Sequence, residues 1–272
     1  MSYKNIIDLH THTDSSFDGN HSAIFMCETA QLKGLRAIAF TDHIEIDTYY
    51  ERGFDFTARD SYLHAANARS AFNGKLIVSA GIELGEPTYD TATAEALLSK
   101  FNYDIVIGSI HNLRGMPDFC DLDYVNEHTD TRALLDTYFE EVLALAKWGN
   151  FDTLAHLTYP LRYIAGEQKI NVDMKQYSDI VDSILRALAE NGKALEINTS
   201  GLRQPLGVTM PDESTVKRFR ELGGEFVTVG SDAHKAEQLG AGIEEGIGIA
   251  KRCGFNCISL FKGRTATPVP IE

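Results

Sequence analysis

The chain has 272 residues, 43% of them hydrophobic, and carries 25 Lys plus Arg against 39 Asp plus Glu, a net charge of −14. A field of that sign repels polyanions, so nucleic acid is a poor partner, and no uninterrupted apolar run is long enough to cross a bilayer. The length suits one domain built as an α/β barrel, over residues 1–272 with a tail from about 265.

Residues 1–5 lead into a strand pattern with no apolar segment followed by a small-residue cleavage site, so the expected location is the cytoplasm. The first strand, 6–12, is an apolar β-branched run that feeds Asp8, His10 and His12 onto one face, because alternate strand residues share a side. A helix over 22–33 ends at Gly34, and strand two, 37–41, leads into Asp42 and His43. After a loop, a helix capped near Thr57 closes at Asn73 and Gly74, and strand three, 76–82, delivers Glu83. A helix over 93–100 precedes strand four, 105–110, which ends at His111. The longest helix, 131–148, repeats Leu134, Tyr138, Val142 and Leu145 at helical spacing, and the short strand 152–155 ends at His156.

A helix over 174–190 stops at Asn191 and Gly192, and strand six is 194–198. Pro211, Asp212 and Glu213 open another helix in the way proline and acids favour a first turn. Strand seven, 225–230, delivers Asp232 and His234. A helix to Arg252 and an apolar run at 257–261 complete the pattern. Strands alternating with helices this regularly predict a parallel barrel or a doubly wound sheet. Cys27, Cys120, Cys253 and Cys257 lack zinc-finger spacing and read as reduced thiols without a chemical role.

In a parallel barrel all strand C-termini converge on one face, so His10, His12, His43, Glu83, His111, His156, Asp232 and His234 would share a pocket. Histidine mixed with carboxylate is the ligand set for zinc, iron or manganese. His21, His64 and His128 fall in helices or loops and read as surface residues. Asp8 and Glu196 face inward beneath the cluster, either as partners of ligating histidines or as ordinary buried acids.

The ordered set His10-Thr11-His12, Thr41-Asp42-His43, Gly81-Ile82-Glu83, Gly108-Ser109-Ile110-His111, Ala155-His156 and Ser231-Asp232-Ala233-His234 resembles the PHP superfamily of polymerase and histidinol phosphatase phosphoesterases. The resemblance spans strands one to seven. It implies a distorted (β/α)7 barrel holding three divalent metal ions: one on His10, His12, Glu83 and Asp232, a second on Glu83, His111 and His156, and a third on His43, His234 and a residue of the first loop. At that last position, often histidine in the superfamily, this chain has Asp18, as is seen in the histidinol phosphatase branch.

Arg162 and Arg203 lie on loops at the same face, where a guanidinium can clamp phosphate bidentately. The stretch 198–203 is similar to the corresponding histidinol phosphatase motif. The resemblance therefore implies a metal-dependent phosphomonoesterase for a small substrate, L-histidinol phosphate, with Arg162, Arg203 and His43 toward the phosphate and Asp232 or His234 as proton donor to the leaving alkoxide. Tyr49, Tyr50, Glu51, Asp118 and Asp121 are candidates for meeting an imidazole or an ammonium group. The rivals are another phosphoesterase of the superfamily, an amidohydrolase-type hydrolase and a non-catalytic metal-binding barrel. An amidohydrolase usually carries its bridging group on strand four, where this chain has His111.

Overall fold

The computed structural model describes residues 3–124 and 129–272. In chain order the elements are β1 (Ile7–Thr11), α1 (Ala23–Leu32), β2 (Ala37–Phe40), β3 (His43–Glu45), α2 (Phe54–Ala71), β4 (Ile77–Gly85), α3 (Thr91–Leu98), β5 (Ile105–Ser109), α4 (Thr131–Trp148), β6 (Thr153–Leu154), α5 (Ser178–Glu190), β7 (Ala194–Asn198), α6 (Glu213–Glu221), β8 (Val227–Gly230), α7 (Ile243–Arg252), β9 (Cys257–Lys262) and β10 (Thr265–Pro270). Strands pair in parallel in the order β1-β2-β4-β5-β6-β7-β8, with β3 also on β4. Thr11 bridges Ala233, and Asp232 N donates to His10 O at 2.8 Å, so β1 meets the end of β8. Of the two predicted architectures, the sheet takes the barrel rather than the open one, a distorted (β/α)7 ring.

Local chemistry starts the helices. Ser22, Asp90, Asp130 and Asp212 each accept a backbone N–H of the first turn of α1, α3, α4 and α6. The apolar stripe of α4 is buried as its spacing predicts, and Tyr138 within it donates to Leu157 O at 3.1 Å. A second apolar cluster, including Met26, Ala30, Phe40, Ala68 and Val78, fills the space where α1 and α2 cover β2 and β4. No described helix is long and apolar enough to cross a membrane.

Five features differ from the sequence reading, one being that the helix expected over 174–190 opens with a 3-10 turn, Met174–Tyr177, before α5 begins at Ser178. The segment predicted as a tail forms β10, antiparallel to β9, with Val269 packed into the core; Pro268 and Pro270 hide the strand pattern, since proline suits only an unpaired strand edge. Helix α2 starts three residues before Thr57, at Phe54, because Gly53 turns the chain with φ +67. β4 runs to Gly85, so Glu83 lies inside a strand rather than after one. β3 is an additional short strand, paired with β4 so that His43 lies beside Glu83 and Glu45 beside Gly85.

Candidate metal centre

Glu83, fully buried, is the hub of the C-terminal face. Its Oε2 lies 3.0 Å from His10 Nε2, 3.5 Å from His12 Nε2 and 3.2 Å from His43 Nδ1. Its Oε1 lies 2.9 Å from His156 Nε2 and 3.1 Å from His111 Nε2. Asp232 Oδ1 is 3.5 Å from His12 Nε2 and 3.9 Å from His10 Nε2. Asp18 Oδ2 is 2.9 Å from His234 Nε2 and 3.8 Å from His43 Nε2. The rings of His43 and His234 stack on His12 at 4.3 and 4.2 Å between centroids. All nine residues expected as ligands therefore converge, with Asp18 among them.

The donor set fits divalent cations. Subsets such as His10, His12 and Glu83, or His43, Glu83 and His111, have ligand atoms within 4.8 Å of one another. The Nε2 of His12 is buried with no hydrogen-bond partner although it faces two carboxylates. An orphaned imidazole nitrogen between acids is what a cation would satisfy. Burial, with His234 and His43 close by, pushes His12 down to about 3, so its ring is a neutral donor. Against the pull of burial, His10, His43 and His111 hold Glu83 well below the usual carboxylate range. Burial opposes ionisation of Asp18 too, but its His234 hydrogen bond and His43 bring it down to about 2. His43 moves the other way: Glu83 and Glu45 outweigh burial and lift it to about 9. The same carboxylates that hold a proton there would attract a metal, which would displace it.

Glu196 Oε1 meets His10 Nδ1 at 2.7 Å, and its Oε2 accepts His156 N at 2.8 Å, so this acid orients a ring of the cluster. Asp8 accepts from Ser231 N, Ser231 Oγ and Gly240 N and holds the loop after β8.

Arg162 opens a π-helical turn over Arg162–Glu167. Its Nη2 donates to Asp232 Oδ2 at 3.0 Å and Ser200 Oγ at 2.7 Å, its guanidinium lies 5.1 Å from the Tyr159 ring centroid, and its buried Nε has no acceptor. It lines a cavity of about 290 Å³ with Asp18, His43, His111, His156, Asp232 and His234. Arg203 donates to the carbonyls of Ser231 and Asp232 at 2.5 and 2.7 Å and lines an adjoining recess of about 250 Å³ with Arg162, Asp232 and His234.

Of the five specificity candidates, only Asp118 lines the main cavity. Tyr49 is buried and donates to Asp55, and Tyr50 is 78% exposed. His21 and His64 lie outside the centre, with His21 accepting from Ala236 N and His64 beside Ser15; His128 lies outside the described residues. Phe17, Glu45, Tyr159 and Tyr163 line the cavity and were not singled out from sequence. For Glu45 a signal existed: it follows His43 at i, i+2, the spacing that relates His10 to His12. A larger recess of about 640 Å³, with Arg69, Ile77 and Phe261, lies where β4 begins, away from the face on which barrels carry active sites.

A barrel with this ring of imidazoles and acids defines a class, and the chain matches the PHP domain over residues 8–200 and belongs to that family. Among curated relatives, a probable histidinol-phosphatase of Thermotoga maritima is 31% identical over 258 residues, covering 94% of this chain and 95% of the relative. The histidinol-phosphatase of Lactococcus lactis is 26% identical over 94% of each chain. The fold is similar to the crystal structure of the Lactococcus lactis histidinol phosphate phosphatase, solved with zinc, L-histidinol and phosphate, at a TM-score of 0.84 and 24% identity over 97% of this chain and 99% of that one.

Proposed function

We propose that the chain is a cytoplasmic metal-dependent phosphomonoesterase of histidine biosynthesis, a histidinol-phosphatase that releases L-histidinol and phosphate from L-histidinol phosphate. The observation that carries it is Arg162, a buried cation with an unused Nε–H, set on the wall of a histidine and carboxylate cavity sized for a small metabolite. The near full-length similarity to relatives named histidinol-phosphatase supports the substrate.

Three divalent ions, zinc, manganese or iron, would be held by His10, His12, Glu83 and Asp232; by Glu83, His111 and His156; and by Asp18, His43 and His234. Such ions would lower the pKa of water and neutralise phosphoryl charge. Arg162 would orient the phosphoryl group through its free donors. Arg203 commits an amino group each to the Ser231 and Asp232 carbonyls, so it braces Asp232 and adds positive potential beside the phosphate. His43, which also lines the cavity, would face the phosphate, and Asp232 or His234 would pass a proton to the leaving alkoxide.

The test is steady-state turnover of L-histidinol phosphate beside nucleotide and sugar phosphates, with zinc, manganese or iron supplied. A clear preference for histidinol phosphate is expected. Equal rates on all would remove the substrate while leaving a phosphatase, and no turnover of an aryl phosphate would favour a non-catalytic metal-binding barrel.

A further inference from the structure

We infer that Glu45 is a positioning residue that couples two of the three metal positions by holding the His43 and His111 rings with one carboxylate. The inference rests on the metal-centre reading above. His43 and His111 belong to different ligand groups there, one with Asp18 and His234, the other with Glu83 and His156.

The geometry is specific. Glu45 Oε2 hydrogen-bonds Nδ1 of His111 at 3.3 Å, and Glu45 Oε1 lies 3.3 Å from the same nitrogen and 3.1 Å from Nδ1 of His43, a charge contact in which that buried nitrogen makes no hydrogen bond. Nε2 of His43 faces Asp18 and Nε2 of His111 faces Glu83 and His156, so Glu45 sits at the other nitrogen of each ring, sharing that of His43 with Glu83 Oε2 at 3.2 Å. At His111 the hydrogen bond to the far nitrogen fixes tautomer and ring angle, and at His43 the adjacent carboxylate acts through its charge; both favour the ligating atom as a base. Glu45 reaches this place because β3 pairs with β4, which sets it beside Gly85. A Cβ at residue 85 would fall 1.6 Å from Glu45 Oε2, so the glycine makes the space the carboxylate occupies. Behind it, Glu86 Oε1 accepts the backbone N–H groups of His111 and Asn112 at 2.5 and 3.3 Å, fixing the main chain of the ring that Glu45 orients. Glu45, Glu86 and His111 are all buried, which strengthens these contacts, although Glu45 and His111 also border the cavity.

Two variants separate this role from plain structural support. Glu45→Gln removes the shared charge, whereas Gly85→Ala keeps the charge and displaces the carboxylate. Gly85 does not have a positive φ, so alanine suits its backbone. Full-length wild type, both single variants and the double variant would be dialysed against graded free zinc, with bound zinc counted per chain and folding followed by circular dichroism. Each single variant should weaken at least two zinc equivalents together by ~10–100-fold. The double variant should be no weaker than Glu45→Gln, because both changes remove one interaction. If Glu45→Gln fails to fold, Gly85→Ala decides. Wild-type zinc affinity in Gly85→Ala, or weakening of only one equivalent, would overturn the coupling. A wild-type chain that binds no zinc would instead overturn the metal-centre reading, and this inference with it.

Discussion

Nη2 of Arg162 lies 3.0 Å from Oδ2 of Asp232, and the same nitrogen reaches Ser200 Oγ at 2.7 Å, so the guanidinium is anchored along one edge and leaves its Nε free. Burial alone would weaken its charge, but Asp232 keeps the guanidinium pKa above its ordinary value, and the residue stays a permanent cation. A preorganised donor of this kind costs no rearrangement when charge develops on the phosphoryl oxygens. Arg162→Ala should lower kcat/KM by about 100-fold or more. Arg162→Lys should recover little, because an ammonium is a point charge without the planar fork. Steady-state kinetics on L-histidinol phosphate decide this, and unchanged values for the alanine variant would exclude Arg162 from the site.

Gly230 closes β8 against the cluster. A Cβ there would fall 2.4 Å from His10 Cβ and 2.5 Å from Glu196 Oε1. Gly230→Ala should therefore force apart the pair that holds His10, with a loss of ~1–3 kcal/mol or more typical of overpacking. Urea unfolding measures the stability, and zinc binding should weaken in parallel. A variant with wild-type stability and zinc affinity would show that the strand relaxes at no cost.

The residues legible in the sequence share a cause. His10, His12, His111, His156, Asp232 and His234 each lie in or just after a strand whose apolar run marks it locally, and barrel geometry does the gathering. The β3 strand was not legible, because a three-residue strand exists only through its pairing with β4, and the i, i+2 spacing of Glu45 from His43 gains meaning only with that strand in place. β10 was hidden by its prolines, and the start of α2 by a glycine whose left-handed turn leaves no capping side chain. Glu196 was read as inward-facing, either a partner of a ligating histidine or an ordinary buried acid, and its hydrogen bond to His10, 186 positions away, decides for the partner and follows only from closure of the ring.

Asp152 should give a pH dependence of stability opposite to that of an ordinary ion pair. It accepts Val106 N at 2.7 Å and meets Arg264 Nε at 3.1 Å, tying the β9-β10 turn to the barrel. Burial raises its pKa from 3.8 and outweighs the lowering by Arg264. The folded state then binds the proton more tightly than the unfolded one, so this contribution is complete below the unfolded pKa and is lost as pH rises through the folded value. Relative to Asp152→Asn, the wild-type chain should lose stability as pH rises from the ordinary aspartate value of 3.8 to the raised folded-state value. Urea titrations across that range test it, and a wild-type advantage that grew with pH would mean that Arg264 outweighs burial.

Removal of metal should cost both activity and stability. Glu83 contacts imidazoles of all three proposed sites, through Oε2 to His10, His12 and His43 and through Oε1 to His111 and His156, and buried Asp232 and exposed Asp18 add further acids. Cations that bind the folded chain and not the unfolded one stabilise it by mass action, ~4 kcal/mol for one site at a thousand times its dissociation constant. Dialysis against a chelator should abolish phosphatase turnover and lower the Tm, and zinc should restore both. Because the ligating imidazoles must be neutral, rebinding should also release protons, measurable as a dependence of the calorimetric heat on buffer ionisation enthalpy. Three equivalents per chain are expected from the three ligand groups. A purified, unstripped protein with at most one equivalent would count against the trinuclear assignment, and a Tm indifferent to the chelator would count against any metal on Glu83.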